Sequence, residues 1–264
     1  MTADPLTTAM ADGTPLFVLS PHLDDGVLSC GALLQHARHR VPVTVATVFT
    51  EGAPPPYTHS ARRHLHLLGA HDAEELYAAR RAEDCEVLQR AGIAWQHAGL
   101  TEGLFRRKPG WAPAGPRRVS SMLPELAHVY PVYRIHLTAG RVSPYDRDVL
   151  RHVVQFLEEQ APSSQPGLVL APLAVGGHAD HLLVRTAAEL SRRPVVYYSD
   201  FPYNQHHPVG ADFARRHALM TTWWWPGSEA KAAMIRGYRT QYDALFPSGQ
   251  VPLVPDTYLY PGGR

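Results

Sequence analysis

Apolar runs of strand length recur along this chain with helix-patterned segments between them, and that alternation restricts the architectures open to it. Leu16–Leu19, Val41–Phe49, Ile93–Leu100, Leu168–Ala171 and Val195–Ser199 are the runs that read as strands. Between them, Val27, Leu28, Ala32, Leu33 and Leu34 have helical spacing, Glu74–Ala91 is a helix closed by Gly92, and Ala179–Leu190 is another. Pro144–Gln160 forms a further helix with Val149, Leu150, Val153, Val154 and Leu157 turned inward. Strands alternating with helices build a parallel sheet covered on both faces and joined by right-handed crossovers. The expected fold is α/β: one Rossmann-like domain over residues 16–264, its mostly parallel sheet having about five or more strands. Residues 1–15 are expected to be a flexible N-terminus.

The intervening segments are less regular. Glu51–Asp72 is full of Pro, Gly and His and reads as a long loop, with His59, His64, His66 and His71 facing solvent or substrate. Thr101–Pro116 reads as a second loop, whose Arg106, Arg107 and Lys108 are expected to face water, contact with a phosphate being the alternative. Pro131–Thr138 is expected to be an extra strand and Asp256–Tyr260 a final edge strand. Phe201–Trp225 is aromatic and turn-rich; adjacent Trp223, Trp224 and Trp225 cannot share one face of a strand, so at least one belongs to the core or an interface. Ser228 caps a helix that runs to Leu245 and stops before Pro247.

Composition excludes several classes of partner. A formal net charge of +1 gives no electrostatic case for nucleic acid or an anionic membrane surface. Cys30 and Cys85 are too few for a disulfide framework or a cysteine-rich metal site. The first fifteen residues lack a basic start followed by an apolar core, and no apolar run approaches the ~18 residues that span a bilayer. The expectation is a soluble, cytoplasmic protein; a homo-oligomer is compatible with the sequence.

The chemistry lies where two of the strands stop. The first ends abruptly in Pro21-His22-Leu23-Asp24-Asp25, placing an imidazole and two carboxylates at its carboxyl end, where ligands sit in open α/β sheets. The fourth leads into Gly177-His178-Ala179-Asp180-His181, and a helix starting near His178 puts His178 and His181 on one side of its first turn. Imidazole nitrogen and carboxylate oxygen both bind Zn²⁺, and two or three protein ligands leave a position for water. Fe²⁺ and other divalent ions accept similar ligands. Capping of the next helix would account for one of Asp24 and Asp25, but for none of the histidines.

Pro21-His22-Leu23-Asp24-Asp25 resembles the [A/P]-H-x-D-D signature of the PIG-L or LmbE-like N-acetylglucosaminyl deacetylase family, and His178-Ala179-Asp180-His181 its H-x-D-H partner. Tyr198-Ser199-Asp200-Phe201-Pro202-Tyr203 is similar to the family's Y-x-D-x-P-Y, and Arg80-Arg81-Ala82-Glu83 to its R-x-E helix. Lys231 with Tyr238-Arg239-Thr240-Gln241 resembles a late helix carrying K and Y-x-S-Q, so the similarity covers residues 16 to 245. Two positions depart from the pattern: Gly26 follows the paired aspartates where Glu is frequent, and Glu102 stands for an Asp after the third strand.

The resemblance implies a metal-dependent hydrolase that removes an acetyl or other acyl group from a small amino-sugar-containing metabolite. His22, Asp25 and His181 would hold the metal, and Asp24 would act as general base and acid. His178 would donate to the oxyanion as an imidazolium kept charged by Asp180. Glu51, Arg80, Glu102 and Tyr203 would contact the substrate. An amidase acting on a thiol-sugar conjugate or another N-acyl amine uses the same site. A non-catalytic metal- or nucleotide-binding module is the alternative from another class, but no G-x-G-x-x-G follows the first strand and no Walker sequence occurs.

Overall fold

The computed structural model of the chain describes residues 4–110, 123–207 and 211–262. Its centre is a seven-stranded sheet with strands β1 (Leu16–Ser20), β2 (Val43–Glu51), β3 (Ala94–Thr101), β4 (Leu168–Pro172), β5 (Val195–Tyr198), β6 (Leu219–Trp224) and β7 (Asp256–Pro261), in the order β3-β2-β1-β4-β5-β7-β6. The first five strands are parallel; β7 pairs antiparallel with both β5 and β6.

Alternation along the central strands fills two cores at once. Leu16, Val18, Val43, Val45, Leu168 and Leu170 face one cluster, while Leu19, Ala46, Val48, Val169 and Ala171 face the other. A sheet apolar on both faces needs helices on both. Helix α2 (Asp25–Ala37) packs on the first side, and the pair formed by Arg147–Gln160 and Ala179–Leu190 on the second.

The chain leaves β1 toward β2 and β3 on one side and reaches β4 and β5 on the other. The crevice beyond the carboxyl ends of β1 and β4 is therefore a topological switch point, the place where such sheets bind ligands.

Several segments differ from expectation, each for an identifiable reason. Where a flexible lead was expected, α1 (Pro5–Ala11) forms a helix: the Asp4 carboxylate accepts the Leu6 and Thr7 amides at 3.0 and 3.1 Å, and Leu6 and Ala9 enter the core. The Pro- and His-rich segment after β2 holds α3 (His59–Leu67), capped by Thr58 and burying only Ala61 and Leu65. So few apolar positions leave little periodicity to read. Next come α4 (Ala73–Arg90), the one-turn α5 (Pro124–Ala127), α6 (Arg147–Gln160) and α7 (Ala179–Leu190).

Pro131–Thr138 is not a strand. Tyr133–Leu137 forms a π-helical turn, its Tyr133 amide donating to Ser60 Oγ of α3 at 3.2 Å, and it joins no sheet among the described residues. Within the second expected loop, Gly103–Phe105 is a 3₁₀ turn and Arg106 is buried, not water-facing; the part from Trp111 to Pro116 lies outside the described residues.

Strand β6 emerges from the aromatic segment after the short α8 (Ala211–Arg216), so β7 is interior and β6 is the edge. Trp224 packs against the first core while Trp223 and Trp225 stay exposed, as the period of a strand requires. The long late helix is two helices, α9 (Ser228–Ile235) and α10 (Arg239–Leu245). The break falls at Gly237, where a Cβ would collide with Val87 of α4, so only glycine allows this approach. Position 227, not Ser228, occupies the N-cap of α9. Among the described residues, no helix is long and apolar enough to cross a membrane.

Candidate metal centre and active-site cavity

The β1–α2 turn is built to aim side chains into the crevice. Ser20 Oγ donates to the His22 carbonyl at 2.6 Å and accepts the Gly26 amide at 2.8 Å, closing the turn. Asp24 occupies the N-cap position of α2 without making a capping bond, which leaves its carboxylate to the cavity. Asp25 Oδ2 accepts the His22 amide at 3.0 Å, which fixes it beside the His22 ring.

Three donor atoms from the two motifs converge. Asp25 Oδ2 lies 3.0 Å from His22 Nδ1 and 3.2 Å from His181 Nε2. Ligand atoms at zinc bond lengths of about 2.0–2.1 Å stand roughly 3.3 Å apart in a tetrahedral shell, so these separations suit a divalent ion. The far nitrogen of each ring meets a carboxylate: His22 Nε2 is 3.2 Å from Asp180 Oδ2, and His181 Nδ1 is 2.6 Å from Asp200 Oδ1. Such outer carboxylates fix the tautomer of metal-bound histidines.

His22, His178 and His181 also present nitrogens within 4.8 Å of one another. His178 differs from the other two because its Nδ1 accepts the Asp180 amide at 3.2 Å and, among the described residues, no carboxylate is bonded to its ring.

Charge follows from this crowding of acids. Burial opposes a charge on His22, but Glu102, Asp180 and Asp25 outweigh it and raise the imidazole to about 10. Burial likewise opposes charge on His181, and Asp25 and Asp200 overcome it, holding its pKa well above the ordinary value. Asp25 stays ionised despite burial because the two imidazoles attend it. Asp24 behaves oppositely: burial and its neighbour Asp25 push it up to about 7, against the pull of Arg80 and His22. Burial and the adjacent His22 lower His178 to about 3. Burial and His22 thus favour the neutral imidazole at His178 over an imidazolium held by Asp180, whose Oδ2 lies against His22.

The cavity above these groups has a volume of about 520 Å³ and is lined by Arg80, Glu102, Tyr133, Tyr203, His64 and Gln241 besides the two motifs. Arg80 Nη1 is 3.2 Å from Glu102 Oε2 and its Nη2 3.8 Å from Asp24 Oδ1, while Tyr77 donates to Glu102. Glu51 is the one expected substrate residue outside this wall; it pairs with Arg81 at 2.6 Å near the surface. Asp180 also lies behind the wall, fully buried.

The sequence places Asp200 and Gln241 within family-like motifs without a role for either and expects Arg106 in water, while nothing in it singles out Tyr77 or Tyr133. For Asp200 a signal existed, a carboxylate immediately after a strand neighbouring β4. His64, read as a loop histidine, presents to the cavity wall a ring whose Nε2 has no partner among the described residues.

The PIG-L family model, described as GlcNAc-PI de-N-acetylase, matches residues 17–190. A 2'-N-acetylparomamine deacetylase of Streptomyces fradiae is 31% identical over 207 residues, 76% of this chain and 62% of that protein. The chain thus spans less than two thirds of that relative's length. Among solved structures, the zinc-inhibited form of a teicoplanin deacetylase superposes with a TM-score of 0.71 at 23% identity, covering 93% of this chain and 97% of that one. A deacetylase–bog complex from the biosynthesis pathway of teicoplanin gives 0.72 at 24% identity, with the same coverages of 93% and 97%. At such identities these structures establish likeness of fold.

Proposed function

The chain belongs to the PIG-L family, and on that premise we propose that it is a metal-dependent N-deacetylase of small, sugar-containing N-acylated metabolites, residues 16–264 forming its catalytic domain. The observation that carries this reading is Asp25 Oδ2 standing 3.0 Å from His22 Nδ1 and 3.2 Å from His181 Nε2, beside a buried Asp24 in an open cavity. Those three residues would hold the ion, with Zn²⁺ favoured by the nitrogen and oxygen donors and Fe²⁺ the alternative. When bound, a divalent cation lowers the pKa of water toward neutrality and polarises the acyl oxygen.

The protein's own groups do the rest. Asp24 takes a proton from the water that adds to the acyl carbon, and returns it to the nitrogen as the C–N bond breaks, giving the carboxylic acid and the free amine, which then exchange a proton to leave as carboxylate and ammonium. Since His178 Nδ1 accepts a backbone amide, its Nε2 carries hydrogen and can donate to the developing oxyanion as a neutral group. Arg80, Glu102 and Tyr203 line the space where sugar hydroxyls would bind, the guanidinium fork suiting such acceptors. Glu51 would act at most through Arg81 at the rim.

The test is a panel of N-acetylated amino sugars and aminoglycosides, 2'-N-acetylparomamine included, assayed for amine and acetate. Metal-stripped protein is compared with protein given one equivalent of Zn²⁺, Fe²⁺ or Co²⁺. Amine release that requires metal is expected. One equivalent bound with no hydrolysis across acetyl and longer acyl groups would favour the non-catalytic module.

Metal uptake should also depend on pH in a defined sense. His22 is raised to about 10 and His181 well above its ordinary value, so in metal-free protein both rings are protonated at neutrality. A cation must expel those protons, so affinity falls as pH drops, by about tenfold per unit for each proton released. Calorimetric zinc titrations in buffers of different ionisation enthalpy count them, and uptake without release would contradict this ligand set.

A further inference from the structure

Behind His22 runs a buried chain of charged side chains that does not line the cavity. Asp180 is fully buried and its Oδ2 accepts the Gly103 amide at 2.8 Å as well as meeting His22 Nε2. Its other oxygen is taken by Arg106 Nη2 at 2.6 Å. Arg106, itself buried, bonds Asp146 Oδ2 through Nη1 at 3.0 Å and the Thr101 carbonyl through Nε and Nη2 at 3.1 and 3.0 Å. The Phe49 ring lies 4.7 Å beneath its guanidinium. Tyr130 closes the far end, donating to Asp146 Oδ2 at 2.6 Å and accepting the Ser143 amide at 2.8 Å. Arg106 does not line the cavity.

We propose that Arg106 is a positioning residue for the metal centre, acting through Asp180 to fix which nitrogen of His22 faces the cation; this rests on the His22–Asp25–His181 site proposed above. A guanidinium is donor-only, and an ionised carboxylate is acceptor-only. With Arg106 on one oxygen and Gly103 on the other, Asp180 is locked in orientation as an acceptor, so His22 Nε2 must carry the hydrogen. Nδ1 is then the lone pair left for the ion. The planar fork also spans two carboxylates at once, Asp146 and Asp180, which the point charge of a lysine matches only in part. Removing the guanidinium frees Asp180 to turn and lets the His22 ring adopt the other tautomer.

The experiment measures Zn²⁺ affinity of chelator-stripped protein by competition with a chromophoric chelator, folding being verified by circular dichroism. Arg106→Met should weaken zinc about tenfold or more, Arg106→Lys should recover part of it, and Asp180→Asn alone should weaken it about 10–100-fold. Because Arg106 acts through Asp180, adding Arg106→Met to Asp180→Asn should change affinity by less than about twofold.

Folded Arg106→Met with wild-type affinity, or losses that multiply in full in the double variant, would overturn the proposal and leave a purely structural ion cluster. Should Arg106→Met not fold, Asp146→Asn and Tyr130→Phe loosen the guanidinium from its far side; a several-fold loss supports the proposal and unchanged affinity refutes it. Failure of the wild type to bind one equivalent, or wild-type affinity in His22→Ala, would remove the site itself and the proposal with it.

Discussion

Asp24→Asn should keep its metal and lose its turnover. The carboxamide has the shape of the carboxylate, and Arg80 Nη2, 3.8 Å away, is beyond hydrogen-bond reach, so the substitution breaks no bond to Arg80 and the turn keeps its arrangement. What disappears is the capacity to take a proton and give it back. Burial and Asp25 push Asp24 up to about 7, which suits a group that must do both near neutrality, and such assistance is worth ~10²–10⁴ in rate. Metal analysis is expected to find wild-type content in Asp24→Asn, with kcat reduced by that factor and KM little changed. Asp25→Asn should instead lose its metal, and its turnover with it, since its Oδ2 sits between two imidazoles. If Asp24→Asn were devoid of metal while Asp25→Asn retained it, the division of labour between the carboxylates would be reversed.

Both motifs were legible because the parallel half of the sheet is legible. A strand buried on both faces leaves an uninterrupted apolar run, and where the run stops the polar residues stand at the strand end. Thus Leu16–Leu19 points to His22, and Leu168–Ala171 points to His178 and His181. Long-range pairing is where the reading stops. Nothing near Arg106 in sequence distinguishes it from Arg107 and Lys108, one a surface donor to the Pro54 carbonyl and the other to Leu126 at 2.9 Å. Only the fold brings Asp146 and Asp180, 40 and 74 residues away, onto its guanidinium. The same limit hid the neutrality of His178: its state depends on burial and on His22, neither visible in H-x-D-H. Helix α3 and the π-helical turn were missed because they pack through a few apolar contacts, Ala61 and Leu65 in one and Leu137 in the other. Their apolar pattern is too sparse, or too strand-like, to declare a helix.

His181→Ala should abolish both metal and activity, and the two losses have one cause. The ring bridges Asp25 at 3.2 Å and Asp200 at 2.6 Å while only 2% exposed. Alanine therefore deletes a ligand and leaves two buried carboxylates without their shared partner. Removing one member of a buried ion pair destabilises by about 3–5 kcal/mol, so a lower melting temperature is expected as well, and unfolding alone must be separated from ligand loss. Ligand binding does this. Zinc at 100 times its dissociation constant stabilises a folded protein by about 2.7 kcal/mol, so the wild type should melt higher with zinc and His181→Ala should not respond. Asp200→Asn, which keeps the imidazole and weakens only its support, should still respond, with affinity reduced about 10–100-fold. Free imidazole added to His181→Ala has the vacated volume to occupy and should restore part of the zinc response. A His181→Ala protein that holds one equivalent of zinc with wild-type affinity would show that the two motifs do not share an ion, and the hydrolytic reading would fail with it.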